Sequence, residues 1–147
     1  CYDGNVMYKH LAGVPMSQRR ELPVCEELQM GISTGLALQG YLPISIYPRI
    51  DFLILAMNQL VNHLDKLAIM SQGQFRPKVI IRTKVGSKRP LDAGPQHTND
   101  HYLGIGSMLK NMNVFKILVP ESIIPTYQDA LAFTGSTLII EALMSKD

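Results

Sequence analysis

The stretch LPVCEELQMGISTGLALQGYLPISIYPRIDF, residues 22–52, decides how the rest of the chain is read. Two adjacent carboxylates, Glu26 and Glu27, open a segment that is otherwise small and apolar, and Gly31, Gly35 and Gly40 follow. This pattern predicts a helix over Glu26–Gln39, with Gly40 as its C-cap. The two acids then occupy the first turn, where the helix dipole favours anions. LPISIY (42–47) is short, apolar and β-branched, which predicts a buried strand straight after the helix.

Outward from this stretch, helices and strands alternate. Ile50–Met70 predicts one long helix, and KVIIRTK (78–84) a second strand. GSKRPLDAGPQHTND (86–100) holds two glycines, two prolines and several Asn/Asp, so it reads as a loop of functional length. Leu103–Asn111 is expected to be a short helix, VFKILVP (114–120) a third strand, Glu121–Phe133 a helix and Ser136–Glu141 a last strand. Residues 1–22 show no clear period and are read as an irregular arm with room for one short strand, leaving 23–147 as the domain. The strands are continuously apolar rather than alternating. That argues for an α/β fold, three-layer α/β/α, with a mostly parallel sheet covered on both faces. Ligands of such sheets bind outside the carboxyl ends of the strands. Here those ends lead into Pro48–Phe52, Val85–Asp100, Glu121–Ile124 and Ala142–Asp147.

Composition narrows the classes. The chain has 147 residues, 46% hydrophobic and 18% charged, enough for one domain with a core. Its net charge of +2 is too small to point to nucleic acid or an anionic membrane. Ile50–Met70 is the most membrane-like run, but Asp51, Asn58, Gln59, Asn62, His63, Asp65 and Lys66 interrupt it. Neither a nucleic-acid nor a membrane partner is expected. The two cysteines, Cys1 and Cys25, do not form a disulfide framework, so a reducing cytoplasm is the expected location.

Pro23, Glu26, Gly31, Gly35, Gly40 and Pro43 form an ordered pattern: Pro-x-x-Glu, two spaced glycines, then a Gly-x-x-Pro turn. With MSQGQFRPKVIIRTKVG, GPQH and VFKILVPES following in order, the chain resembles the pyrimidine-binding domain of thiamine-diphosphate enzymes over roughly residues 20–143. The transketolase-like module is similar, and the resemblance is strongest to the β-subunit of the 2-oxoacid dehydrogenase decarboxylase component. It implies an oxidoreductase or transferase that uses thiamine diphosphate with a divalent metal.

The resemblance implies a role for Glu26. A glutamate at this point hydrogen-bonds the cofactor pyrimidine and favours its imino tautomer, whose nitrogen removes the thiazolium carbon proton. The cofactor carries the chemistry. A carboxyl that donates near neutral pH must be largely desolvated, since burial disfavours its charged form. A glycine-rich helix allows close packing around it. Glu27, off the family spacing, is read as helix-end polarity; on residues alone both acids are ordinary first-turn carboxylates. Phe52 matches the aromatic that packs on the pyrimidine, with Tyr47 and Pro48 beside it, and Val24 an apolar residue lining the same ring. On residues alone Phe52 reads equally as a core aromatic. His97, in GPQH, matches a histidine facing the reacting carbon, where imidazole suits proton transfer. The loop around it is longer on both sides than the family pattern. Glu26 and His97 are thus the catalytic candidates, and Val24, Glu26, Tyr47 and Phe52 the cofactor-binding ones.

Other readings of these residues are weaker. Lys84, Lys88 and Arg89 could meet an anionic substrate or form a solvated loop. His97, Asp100 and His101, with Asp92, could be read as a metal site, but Pro95 and Asn99 argue against the helix it needs, and no metal held by this chain is expected. His10 and His63 read as structural, and Cys25 as inert. The family holds the diphosphate and metal on a second domain through a Gly-Asp-Gly element and an asparagine. Asp3-Gly4-Asn5 is not that element. The expectation is a partner: a diphosphate-binding, α-type subunit or domain, with a homodimer of this chain and the cofactor absent from the chain on its own. The alternative is a non-catalytic fragment or divergent scaffold of the same fold.

Overall fold

The computed structural model describes residues 6–88 and 92–143. Cys1, the Asp3-Gly4-Asn5 stretch, Arg89 and residues 144–147 lie outside the described residues.

Four strands form one sheet: β1 (Ile44–Ile46), β2 (Ile80–Lys84), β3 (Asn113–Ile117) and β4 (Thr137–Glu141). Their order is β1-β2-β4-β3 and every pairing is parallel. The continuous apolar runs have the reason expected of them, since both faces are covered. Ile81, Leu138 and Ile140 face one core with Met30, Ile50, Leu53, Leu60, Leu64 and Ile105. Ile80, Ile117 and Ile139 face a second core with Ala130, Ile123 and Tyr127. Each fully buried Ile or Leu contributes roughly 1.5–3 kcal/mol. The result is the three-layer α/β/α arrangement, with the strands 42–47 and 114–118 of the sequence reading sharing a sheet.

Several elements end where the backbone forces them to. Helix α2 (Glu26–Leu38) closes at Gly40, φ +87°, where the Gly40 amide bonds Ala37 O and the Tyr41 amide bonds Leu36 O, both at 3.1 Å. That pair of bonds is a Schellman cap, which a left-handed glycine allows. β1 is shorter than LPISIY because Pro43 has no amide to donate, yet its carbonyl accepts from Ile80 at 3.0 Å.

Two expectations are corrected. The arm carries no strand among its described residues; it forms a short helix α1 (Val6–Lys9) and a 3₁₀ turn over Met16–Gln18. Nor is Ile50–Met70 one uniform helix. It begins as α3 (Ile50–Leu53), tightens to 3₁₀ over Ile54–Ala56, widens to a π-helix over Asn58–Leu64 and ends as α4 (Leu67–Met70). In the wide turn the Asp65 amide bonds Leu60 O at 3.0 Å. Asp65 is buried, and its carboxylate accepts from the amides of Lys110 and Asn111 at 3.1 and 2.9 Å and from the Asn111 side chain at 3.1 Å. A buried acid needs such donors, and the changed winding satisfies it without exposing Leu60 or Leu64. The remaining helices are α5 (Tyr102–Met108) and α6 (Ile123–Ala132), the latter entered through a 3₁₀ turn at Pro120–Ser122.

Candidate active site at the carboxyl edge of the sheet

Glu26 begins α2, and the helix is keyed to β1 by buried polar contacts. The Gln29 side-chain amide donates to Ser45 Oγ and to Ile46 O, each at 3.0 Å, and the Ser33 and Ser45 hydroxyls lie 3.0 Å apart. Tyr47 follows β1 and is fully buried; its hydroxyl donates to the Glu26 carbonyl at 3.3 Å. Burial raises the Tyr47 pKa well above that of a free phenol, against the Ser45 hydrogen bond and with the Glu26 charge, so Tyr47 stays a neutral donor. The Glu26 side chain is half-buried and Glu27 is exposed. Glu27 accepts only long bonds, 3.5 Å from Asn58 and 3.4 Å from Gln59.

Phe52, in α3, meets the loop that follows β2. Its ring stands edge-on to the His97 imidazole, 5.4 Å between centroids and 82° between planes. His97 Nδ1 lies 3.1 Å from Ala93 O. A carbonyl only accepts, so Nδ1 carries the proton, and in the neutral ring Nε2 keeps its lone pair. Arg49 Nη1 donates to His97 O at 3.0 Å. Asp51 Oδ1 accepts from Asn99 Nδ2 at 2.7 Å and lies 3.6 Å from His101 Nε2. Gly86 lies under this loop: a Cβ there would meet His97 C at 2.9 Å and Arg49 Nη1 at 2.8 Å.

The structure therefore sets Glu26 and Tyr47 together and Phe52 and His97 together, all at the carboxyl end of the sheet. Val24 precedes α2 with its side chain 95% exposed and touches neither pair. Arg49, Asp51, Asn99 and Gly86 were not singled out as site residues from the sequence. Only Gly86 carried a signal, as a glycine directly after an apolar strand. The residues of the metal reading have separate partners: Asp92 caps the Gly94 amide at 2.8 Å, Asp100 pairs with Lys116, and His101 faces Asp51. Among the described residues no three such side chains could hold a metal ion. Lys84 is partly buried; burial first, and then Arg49, lower its pKa, while Glu141 opposes them. Lys88 is exposed and so is Cys25, a free thiol. His63 is exposed, and His10 Nδ1 lies 2.9 Å from Arg82 Nη2. No described helix is long and apolar enough to cross a membrane.

No protein-family model matches the chain. Curated relatives do. The pyruvate dehydrogenase E1 component subunit beta-3, chloroplastic, of Arabidopsis thaliana is 37% identical over 73 residues, which is 50% of this chain and 18% of that protein. The pyruvate dehydrogenase E1 component subunit beta of Gracilaria tenuistipitata var. liui is 36% identical over 73 residues, 50% of this chain and 23% of that protein. The chloroplastic subunit beta-3 of Oryza sativa subsp. japonica is 36% identical over 73 residues, 50% of this chain and 19% of that protein. The chain thus spans only 18% to 23% of the length of these relatives. Over half its length the chain is homologous to pyruvate dehydrogenase E1 beta subunits, consistent with a transketolase-like pyrimidine-binding domain built on a parallel sheet.

Proposed function

We propose that this chain is the pyrimidine-binding half of a thiamine-diphosphate-dependent 2-oxoacid dehydrogenase or transketolase-type enzyme, completed by a partner domain that binds the diphosphate. The observation that carries this reading is the placement of Glu26, Tyr47, Phe52 and His97 at the carboxyl edge of one parallel sheet, in a chain similar to E1 beta subunits.

The residues present fit half of such a cofactor. Phe52 offers an aromatic edge, Val24 an exposed apolar surface with nothing against it, and Glu26 a carboxyl at the open edge. Thiamine diphosphate, when bound, supplies a carbon nucleophile that stabilises the negative charge left by decarboxylation. Glu26 would hold the pyrimidine ring nitrogen by a hydrogen bond from its side chain. Tyr47 fixes the first turn of α2 through the Glu26 carbonyl, and Phe52 and Val24 would line the pyrimidine ring. His97, with Nε2 bare, moves a proton at the substrate.

Partner contact has its own support. A Cβ on Gly31 or Gly35 would meet nothing within 4 Å, so these glycines are not explained by packing inside this chain. Beside them Leu28 and Leu36 are exposed on α2, with Tyr41 and Leu42 just beyond it. Such a surface suits close helix contact with a second chain, and we assign it to a homodimer together with the diphosphate-binding subunit. The free thiol of Cys25 suits a reducing, cytoplasmic setting. The residues read as 23–147 would form the domain and 1–22 its arm.

The test is reconstitution. The chain is mixed with a diphosphate-binding α-type subunit, and thiamine diphosphate binding is measured by calorimetry with magnesium present. Saturable binding only by the mixture supports the proposal. A stable complex that binds no cofactor would leave the scaffold alternative.

A further inference from the structure

We infer that Asp51 is a positioning residue for His97: from the first turn of α3 it holds loop 92–101 in the arrangement that keeps His97 Nε2 bare. The inference rests on the proposed role of His97 and names what supports it.

Three residues of one turn touch the loop. Arg49 donates to the His97 carbonyl, Phe52 stands edge-on to the His97 ring, and Asp51 takes the Asn99 side chain. Asp51 is the costly member. Its side chain is 7% exposed and its Oδ2 is buried without a hydrogen-bond donor. A buried polar side chain needs a donor close by, and here the Asn99 amide donates to Oδ1, with His101 Nε2 3.6 Å from the same oxygen.

Asn99 passes the constraint on. Its Nδ2 donates to Asp51 and also to Pro95 O at 2.6 Å. The two anchored residues, 95 and 99, bracket His97. The His97 contacts reach the residues just before that bracket: its amide bonds Gly94 O at 3.1 Å and Nδ1 meets Ala93 O at 3.1 Å. The ring orientation, and with it the nitrogen that carries the proton, therefore depends on a turn docked from outside by Asp51. The neighbouring Asp100 plays no part in this, since Lys116 and the Tyr102 amide engage it.

The test reads the His97 tautomer in the 147-residue chain by long-range proton–nitrogen NMR. The original chain should show the proton on Nδ1. Asp51→Ala should lose that signature and give a mixture of tautomers. Asp51→Asn, whose amide oxygen still accepts from Asn99, should largely keep it. Asn99→Ala cuts the same link from an exposed position that leaves α3 untouched, and should match Asp51→Ala. Asp100→Asn should change nothing at His97. In the reconstituted complex, Asn99→Ala should lower turnover at least about tenfold with cofactor affinity unaltered. An unaltered His97 signature in folded Asn99→Ala overturns the inference, and so does an altered signature with unaltered turnover. The tautomer needs neither cofactor nor partner, so its outcome is separate from that of the reconstitution: a complex that binds no cofactor sinks the proposed function whatever the tautomer shows.

Discussion

Gly86 lies so close under His97 that a side chain there would collide with the His97 backbone, its Cβ falling 2.9 Å from His97 C and 2.8 Å from Arg49 Nη1. The contact is with backbone on one side and a hydrogen-bonded guanidinium on the other, and neither can step aside cheaply. Gly86→Ala should lift the 92–101 loop, break the Arg49–His97 bond and cost about 1–3 kcal/mol. Urea unfolding would read the cost as a lower midpoint at unchanged slope. A midpoint within error of the original would mean that the loop is not docked on β2.

Glu26→Gln should leave the fold intact, because the amide keeps the size of the acid and its side chain is only half-buried. In the reconstituted complex, exchange of the thiazolium carbon proton, followed by NMR, should fall more than a hundredfold, the equivalent of about 3 kcal/mol. Glu27→Gln should change it little, since the exposed Glu27 has only long bonds to Asn58 and Gln59. Equal effects of the two substitutions would assign the wrong acid.

Arg82 and Glu141 form a partly buried ion pair, 2.7 Å from Nε to Oε1 and 3.1 Å from Nη2 to Oε2, each side chain 12% exposed. The Tyr127 hydroxyl adds a 3.3 Å bond to the same carboxylate. Glu141→Ala leaves the guanidinium without its carboxylate, with His10 Nδ1 still 2.9 Å from Nη2, and should cost about 1–3 kcal/mol, whereas the double replacement Arg82→Met with Glu141→Leu should cost less. Chemical denaturation of the three proteins decides it. Equal losses for single and double variants would show that the pair itself stabilises the sheet.

Burial pushes the Asp100 carboxyl up, but the hydrogen bonds from Lys116 and the Tyr102 amide, with the charges of Lys116 and His101, outweigh it and hold it below the usual carboxylate range. A lowered folded pKa contributes stability that is present above the unfolded pKa of about 3.9 and is lost as pH falls through the folded value. Asp100→Asn should therefore be less stable than the original at neutral pH, and the gap should close in acid. Asp100 is 41% exposed and Lys116 23%, so screening limits the gap to about 1 kcal/mol or less. Thermal melts from pH 7 to pH 2 would show the convergence; a gap independent of pH would assign the loss to something other than charge.

The sequence by itself determined which segments are strands and that they run parallel. Val79–Ile81 and Leu138–Ile140 are apolar on consecutive residues because both faces of the sheet are covered, and that local pattern survives folding unchanged. The cap at Gly40 and the first-turn place of Glu26 are likewise local matters of backbone freedom and helix ends. Only the tertiary structure decided how Ile50–Met70 winds, because the donors that Asp65 needs lie 45 and 46 residues away. The support of His97 was equally hidden: Arg49 and His97, and Asp51 and Asn99, are each 48 residues apart. An arginine and an aspartate at a helix start look like ordinary surface charges in sequence. They acquire a role when the loop after β2 folds back over Gly86 and brings a backbone carbonyl and an amide to them, a contact that no local periodicity encodes.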